Sequence, residues 1–347
     1  MRTKVLVFGG SGYSGLELLR LLALHDHVEL TGASSNRWED ELLSSYAPQW
    51  RGAEKFINHD ALFAQAQTGS VAFLATHATV SHELAPKLIE KGIRVIDVSG
   101  AFRLSTKKDV EEWYGFDHQH EELLRSAVYG LPEIFAEQYV NQAPKLIANP
   151  GCYPTATILA LAPLLAEKML RLDVPIHVDG KSGVTGAGRK LADSLLYNEV
   201  AETFRPYRMT KHQHTPEIER FLTAIAKDNV QLSFTPHLIP VRRGLMTSSY
   251  AHAVPGVTQE KIDELYTAFY ADKPFVRFLP KTAPHPGGVL QTNFCDVTCK
   301  IDPRNGSICA FGAIDNLVKG AAGQALQNFN LTHGFDECAG LLPQERS

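Results

Sequence analysis

The sequence predicts an α/β protein in two parts: a Rossmann-type doubly wound sheet, then a second α+β domain whose sheet is largely antiparallel or mixed. Three observations carry that expectation. Short apolar runs alternate with helical patterns through the first 150 residues, the signature of parallel βαβ units. A glycine-rich stretch, FGGSGYSG (8–15), stands between the first apolar run and the first helical pattern. Between 230 and 314, strand-like runs follow one another with one helical stretch among them, as in an α+β domain.

In order along the chain, KVLVFG (4–9) reads as the first strand, and Leu16, Leu19, Leu22 and Ala23 then recur at helical spacing. VELTGAS (28–34), SVAFLATH (70–77) and IRVIDVS (93–99) are further strands, with a helix from Val80 to Lys91 that carries Pro86 in its first turns. Residues 100–145 are richer in charge and turns and read as excursions from the sheet. A long helix is expected from Tyr153 to Met169, then the glycine-bearing run PIHVDGKSGVTGAGRK (175–190) and a helical stretch near 190–200. QLSFTPHL, LMTSSYAHAV, FVRFL, NFCDVTCKI and SICAFGAI are the strands of the second part, interrupted by a helix at 258–270. Asp315 to Phe329 closes the pattern as a helix rich in small residues.

The totals narrow the function classes. A chain of 347 residues has room for two cores. With 44% hydrophobic and 21% charged residues and a net charge of -4, it has a globular composition without the basic footprint of a nucleic-acid or membrane binder. No apolar run approaches the roughly 20 residues of a membrane helix, and MRTKVLVFGG is too short in apolar residues for a signal peptide. The five cysteines, at 152, 295, 299, 309 and 338, are odd in number and scattered. This speaks against a disulfide framework and for a reducing cytoplasm. Cys295 and Cys299 alternate onto one face of a strand with no second pair, which favours buried thiols over metal ligands. No metal is expected.

Gly10-x-Gly12-x-x-Gly15 lies directly after a strand and before a helix, the context in which this pattern binds a dinucleotide. The glycines permit the turn and the close backbone approach, and the helix start faces the pyrophosphate. About 20 residues further on, where an NAD enzyme places a carboxylate, the chain reads Ala33-Ser34-Ser35-Asn36-Arg37. Small hydroxyls and an arginine suit a 2′-phosphate, so NADP is favoured over NAD; the other reading of Arg37 is an ordinary exposed loop residue.

Cys152 follows the strand KLIAN and opens the long helix, with Pro154 in its first turn. A helix start stabilises thiolate. In MTKHQHTPE (209–217), Thr215 is the expected N-cap and Pro216 the first helical residue. His212 and His214 then sit in a loop just outside a helix start, either as surface histidines or as an acid/base. A thiol, a histidine and a nicotinamide together point to acyl-thioester chemistry: thiolate attacks an activated acyl group and the thioester accepts hydride. Backbone N–H groups after Cys152 would serve the oxyanion. Arg103 in SGAFR, at the C-terminal edge of the sheet, would hold an acyl phosphate; its structural alternative is a pair with Asp97.

With GGSGYSG, ASSNRWEDE, DVSGAFRL, YGLPEI (129–134), NPGCYPTA, KSGVTGAGR (181–189), HQHTPEIE and DNLVKGAAGQA, the chain resembles the N-acetyl-gamma-glutamyl-phosphate reductase family of arginine biosynthesis nearly end to end. NPGCYPTA together with HxHTPEIE is highly specific, whereas the glycine motif is shared by many enzymes. The resemblance implies NADPH-dependent, reversible reduction of N-acetyl-gamma-glutamyl phosphate to N-acetylglutamate 5-semialdehyde plus phosphate. Cys152 would be the nucleophile and His214 the acid/base, with His212 nearby and an exchange of their roles left open. Gly10, Ser11, Gly12, Tyr13, Ser14, Gly15, Ser34, Ser35, Arg37, Ser182, Gly183 and Asn316 would face the cofactor, Asn316 opening the last helix. Arg103, Glu133 and Asn149 would face substrate and phosphate. The last helix would return to the first domain. That gives a discontinuous NADP-binding domain (1–149 and 315–347) and a catalytic and oligomerisation domain (150–314), assembled as a homo-oligomer, dimer or tetramer. The rival readings are aspartate-semialdehyde dehydrogenase, a relative acting on an aminoadipyl phosphate one methylene longer, a cysteine hydrolase and an NADP-binding redox sensor.

Overall fold

The computed structural model describes residues 2–138 and 144–342; the ends of the expected first domain, residues 1 and 343–347, lie outside that description. The chain forms two compact units, 1–151 with 321–347, and 152–320.

In the first unit the chain runs β1 (Thr3–Phe8), α1 (Tyr13–Leu22), β2 (Val28–Ser34), β3 (Phe56–Ile57), α2 (His59–Gln65), β4 (Val71–Leu74), α3 (Ala78–Glu90) and β5 (Arg94–Asp97). The excursion then supplies α4 (Lys107–Tyr114), α5 (Glu121–Ser126), β6 (Val128–Tyr129) and α6 (Pro132–Phe135) before β7 (Leu146–Ala148). The strands lie in the order β3-β2-β1-β4-β5-β7-β6, and all are parallel. Val5 to Phe8 and Val71 to Leu74 are fully buried, as strands covered on both faces must be. The strand order reverses between β1 and β4, so the loop after β1 emerges at a topological switch point, where open α/β sheets bind ligands. Pro86 lies in the interior of α3 rather than in its first turns, because the helix starts at Ala78.

The second unit begins with α7 (Cys152–Ala166), whose residues from Tyr153 to Leu165 are all buried. It continues through β8 (Ile176–Gly183), α8 (Tyr197–Val200), β9 (Arg205–Pro206), α9 (His214–Ala226), β10 (Leu232–Ile239), β11 (Leu245–His252), α10 (Gln259–Phe269), β12 (Val276–Phe278), β13 (Cys295–Ile301) and β14 (Ser307–Ile314). The sheet order is β12-β13-β14-β11-β8-β10-β9. It is mixed: β8 pairs parallel with β10 and β12 with β13, and the other pairs are antiparallel. The apolar α7 lies on one face of this sheet, so close that a Cβ at Gly312 would stand 2.4 Å from the Ala156 carbonyl oxygen. The helical stretch expected near 190–200 shrinks to the four-residue α8, which buries no side chain.

After β14 the chain makes a π-helical turn (Val318–Ala322) and returns to the first unit as α11 (Gly323–Thr332). Asn316 therefore does not open the last helix. It precedes the π turn and belongs to the second unit.

Candidate active site

In the first unit the loop after β1 and the first turn of α1 are built by three glycines that the protein itself demands. Gly9 has φ +84, and a Cβ there would stand 2.5 Å from the Ala75 carbonyl oxygen. A Cβ at Gly10 would meet the Phe56 ring at 2.8 Å, and one at Gly15 would meet the Gly9 carbonyl oxygen at 2.3 Å. Gly12 differs: its Cβ would find nothing nearer than 3.4 Å, so the protein leaves open the side a ligand would approach. Gly12 is also the N-cap of α1 and brings no side chain to the helix start, which leaves the first-turn N–H groups to bind an anion. These residues fit a dinucleotide pyrophosphate. The left-handed turn falls on Gly9, which the GxGxxG spacing left outside the motif; the glycine doublet after the strand was the signal.

Ser34 and Ser35 are buried and their hydroxyls are engaged. Ser34 Oγ lies 2.7 Å from His59 Nδ1. Ser35 Oγ accepts the N–H groups of Arg37 and Trp38 at 3.1 and 3.0 Å. Of the three residues expected around a 2′-phosphate, Arg37 alone is exposed, and Ser35 shapes the turn that presents it.

At the ends of β5 and β7, Arg103 is buried and donates from Nε to the Asn149 carbonyl at 2.8 Å and from Nη2 to the Val98 carbonyl at 2.7 Å. Asp97 is fully buried and accepts the N–H and O–H of Ser99 at 3.0 and 2.8 Å. Burial pushes its carboxyl upward, against hydrogen bonds from Ser81 and Ser99 and the charge of Arg103. Glu133 Oε1 accepts from Gln327 Nε2 at 2.9 Å, and Asn149 Oδ1 accepts from Asn328 Nδ2 at 3.1 Å. Asn149 Nδ2 donates to the Ala321 carbonyl at 3.2 Å. Gln327 and Asn328 escaped the sequence reading. Their signal was polar spacing at i, i+3 and i+4 (Gln324, Gln327, Asn328) in a helix otherwise read as small-residue packing.

In the second unit Cys152 is the first residue of α7 and is partly exposed. Gly320, in the π turn, packs against it: a Cβ at 320 would stand 2.7 Å from Cys152 Cβ. His214 is the first residue of α9, a helix packed on α7. The expected N-cap, Thr215, lies inside the first turn, buried and with its Oγ1 lacking a hydrogen-bond partner. The N-cap position falls on Gln213, whose side chain makes no cap bond, and His212 Nδ1 instead accepts the His214 N–H at 3.2 Å. This starts the helix earlier than a threonine cap would. The His212 ring is enclosed by Tyr153, Tyr207 and Phe234, with centroids 5.7, 5.6 and 5.4 Å away. Burial first, then the charge of Arg208, lowers its pKa to about 3, so it is neutral at physiological pH.

Two tyrosines join this wall that the sequence reading did not single out. Tyr207 donates its hydroxyl to that of Tyr153 at 3.4 Å, and Tyr153 donates to the His237 carbonyl at 3.2 Å. Burial pushes the Tyr207 phenol to about 12 and the Tyr153 phenol higher still, with the charge of Cys152 adding to both. Both hydroxyls stay protonated beside the thiol. Asn316 is a bracket: Oδ1 accepts the Gly244 N–H at 2.8 Å and Nδ2 donates to Thr185 Oγ1 at 3.0 Å. Ser182 is buried, and Gly183 donates its N–H to the Gly244 carbonyl at 2.9 Å. The glycine-bearing loop after β8 is thereby fastened to the turn between β10 and β11. Among the described residues no cluster of His, Cys, Asp and Glu has the geometry to hold a metal ion, and no helix is long and apolar enough to cross a membrane.

The parallel sheet with its glycine loop and the mixed-sheet unit with its cysteine define an oxidoreductase of the semialdehyde dehydrogenase class. Residues 4–142 match the semialdehyde dehydrogenase NAD binding domain, and residues 152–316 match the semialdehyde dehydrogenase dimerisation domain. The fold is that of aspartate semialdehyde dehydrogenase II from Vibrio cholerae, solved with ASA, at TM-score 0.73 and 17% identity over 96% of this chain and 99% of that one. The Candida albicans aspartate semialdehyde dehydrogenase with NADP gives TM-score 0.63 and 15% identity, covering 96% and 99%. Full-length relatives are much nearer in sequence. The N-acetyl-gamma-glutamyl-phosphate reductases of Pelobacter propionicus and Brevibacillus brevis are 44% and 42% identical, each over 97% of both chains. The enzyme of that name from Methanococcus maripaludis is 41% identical over 97% of both. This chain belongs to the N-acetyl-gamma-glutamyl-phosphate reductase family.

Proposed function

We propose that the chain reduces N-acetyl-gamma-glutamyl phosphate with NADPH to N-acetylglutamate 5-semialdehyde and phosphate, reversibly, as a step of arginine biosynthesis in the cytoplasm. The observation that carries the reading is the pair of helix starts in the second unit: Cys152 opens α7, and His214 opens the α9 helix packed on it. The family relationship supports the substrate.

Cys152 Sγ, favoured as thiolate by the helix start, attacks the acyl carbon. The carbon–oxygen bond to phosphate breaks, phosphate leaves, and an acyl thioester remains on the sulfur. Gly9 to Gly15 would hold a reduced dinucleotide, with Arg37 toward its 2′-phosphate, and the bound dinucleotide would supply the hydride that the thioester needs. His214 gives a proton to the carbonyl oxygen as negative charge develops there. It takes that proton back when the tetrahedral adduct collapses to aldehyde and Cys152 thiolate. His212, neutral and accepting the first N–H of α9, orients His214 rather than exchanging protons. The N–H groups of the first turn of α7 serve the oxyanion. Arg103, directed by its two carbonyl anchors, places positive charge for the phosphate, and Glu133 and Asn149 hold the same wall through α11. Ser182 and Gly183 at the end of β8, with Asn316 bracketing the loop that follows, would serve the nicotinamide, as the family relationship suggests. The chain works as a homo-oligomer, dimer or tetramer.

One assay tests substrate and chemistry together. NADP reduction with N-acetylglutamate semialdehyde plus phosphate is compared with the same assay on aspartate semialdehyde and on the N-acetylaminoadipate semialdehyde one methylene longer. The first substrate should give the highest kcat/KM. A clear preference for either of the others overturns the substrate assignment.

A further inference from the structure

Three histidines that the proposed chemistry does not use are packed together in the first unit. His82 lies in α3, and His118 and His120 lie in the turn between α4 and α5. The His82 ring centroid stands 4.5 Å from that of His118 and 4.9 Å from that of His120. His118 is fully buried, and His82 is buried. No metal-binding geometry occurs among the described residues, so the cluster has another use.

Its hydrogen bonds show what that use is. His82 Nε2 accepts the Gln119 N–H at 2.9 Å, and His118 Nδ1 accepts the His120 N–H at 3.3 Å. Two successive amides of the turn thus depend on imidazole lone pairs, while His120, at the cap of α5, makes no side-chain cap bond. An imidazole accepts a hydrogen bond only while it is neutral. Burial first, then His82, His120 and Lys107, lowers the His118 pKa to about 4, with the Ala101 backbone opposing. Burial and then His120 lower that of His82, against Glu83 and Asp117. Both rings therefore remain acceptors at physiological pH.

The turn covers the loop that carries Arg103. Residues 98–106 contain no helix or strand, so this loop is held by side chains. The His118 ring stands at 87° to that of Phe102, centroids 5.1 Å apart, and Phe102 is buried. Tyr114 closes on Gly100, where an added Cβ would meet its ring at 2.1 Å. Helix α3 grips the loop twice. Ser81 hydrogen-bonds the Asp97 carboxyl where the loop begins, and the next residue, His82, holds the turn that lies over its middle. Arg103 follows Phe102 directly and takes its direction from the Val98 and Asn149 carbonyls. Those anchors are in reach only while the backbone at 102 and 103 stays in place.

We propose that His82 and His118 are positioning residues for Arg103: as paired acceptors they pin the turn on Phe102, and Phe102 fixes the loop from which the guanidinium reaches phosphate. The phosphate half of the proposal rests on the reductase reading; the pinning of the loop does not.

The test keeps or removes one acceptor. A glutamine places its amide oxygen near the position of His Nε2 and takes up no proton, so His82→Gln retains the acceptor that His82→Leu deletes. Full-length protein is assayed in the oxidative direction with N-acetylglutamate semialdehyde, NADP and phosphate, and a melting curve by circular dichroism verifies the fold. His82→Leu should raise the KM for phosphate about tenfold or more, the scale on which a misplaced binding group acts. Its kcat, and its NADPH affinity by fluorescence quenching, should stay within about twofold of wild type. His82→Gln should behave as wild type. Phe102→Leu, which keeps an apolar side chain but removes the ring beside His118, should show the same split and serves where His82→Leu does not fold. Hydrogen–deuterium exchange of the peptide spanning 98–105 should be faster in His82→Leu and Phe102→Leu and unchanged in His82→Gln. An unchanged phosphate KM, equal losses in kcat, phosphate and NADPH, unchanged exchange, or a His82→Gln no better than His82→Leu overturns the proposal. If the wild type turns over no N-acetylglutamate semialdehyde, or if Arg103→Ala leaves the phosphate KM as it was, the reductase reading or its use of Arg103 fails instead. The exchange at 98–105 then decides by itself whether the histidines pin the loop.

Discussion

Two helices in this chain follow directly on parallel strands of the first sheet, α1 after β1 and α7 after β7, and they begin in opposite ways. α1 opens with glycine at its cap and no side chain over its first N–H groups. α7 opens with Cys152. Both starts carry the same positive end of a peptide dipole, and both attract an anion. At α1 the anion must arrive from outside, so the chain removes side chains to admit a pyrophosphate. At α7 the proposed mechanism has the chain supply the anion itself, as the Cys152 thiolate, which would change the site from one that binds to one that reacts. The two sites differ in the side chain set at the helix start, glycine at the cap of α1 and cysteine at the first position of α7.

Removing that difference is the harshest way to break the comparison. Cys152→Ala gives α7 a start as unreactive as that of α1, and turnover should be lost altogether. Wild-type enzyme incubated with acyl phosphate and no NADPH should carry an acyl adduct on the peptide containing Cys152, visible as a mass increase and absent from the variant. Cys152→Ser should bind cofactor yet be nearly inactive, since this site does not ionise a serine hydroxyl. An adduct on Cys295 or Cys309, or full activity in Cys152→Ala, would overturn the assignment.

The next effect separates the two histidines. His214→Asn should slow turnover by about 10²–10⁴-fold, the range for a lost acid/base group. His212→Asn keeps a side-chain acceptor near the His214 N–H and should cost less in kcat than in thermal stability. The opposite ranking would make His212 the acid/base and His214 its support.

A smaller effect probes what α1 binds. Ser34 and Ser35 are engaged inside the protein, so in the proposed reading discrimination at the 2′-phosphate falls to Arg37. Arg37→Ala should weaken NADP binding by about 1.5–3 kcal/mol, the worth of a charge-assisted contact, with NAD binding nearly unaffected. Titration by fluorescence quenching measures both; equal losses would return Arg37 to an ordinary exposed loop residue.

These contrasts also show what was legible in the sequence. The alternation of strands and helices, the glycine loop and the cysteine at a helix start could be read because each depends on neighbours within a few residues. Contacts between distant segments were not legible. Thr215 carries the composition of an N-cap, but the His212 ring, held among Tyr153, Tyr207 and Phe234, reaches the helix start first. Arg103 was read as a phosphate ligand or a partner of Asp97; that its Nε would also be anchored on the carbonyl of Asn149, 46 residues on, could not be read. Gln327 and Asn328 read as part of a small-residue helix. Their partners, Glu133, Gly130 and Asn149, lie nearly 200 residues earlier in the chain.

The smallest expected effect concerns protons, and it tests the acceptor at His212 directly. Burial lowers the His212 pKa from 6.5 to about 3, so below pH 6.5 the unfolded chain takes up a proton that the folded chain refuses. The stability this group contributes is therefore complete above pH 6.5 and declines as the pH falls toward 3. The slope is about 1.4 kcal/mol per pH unit. In the first unit His118 and His333, lowered by burial to about 4, act with the same sign, and His25, His59 and His82 are lowered too. Wild-type stability in urea should accordingly fall steeply between pH 6.5 and 5. His212→Gln has no proton to take up and should reduce that slope by about 1.4 kcal/mol per pH unit, even where it lowers stability at neutral pH. If the slope is the same with and without His212, the folded protein tolerates a charged imidazolium there. Its Nδ1 is then a donor, it has no lone pair for the His214 N–H, and the helix that carries the proposed acid/base must be held by something else.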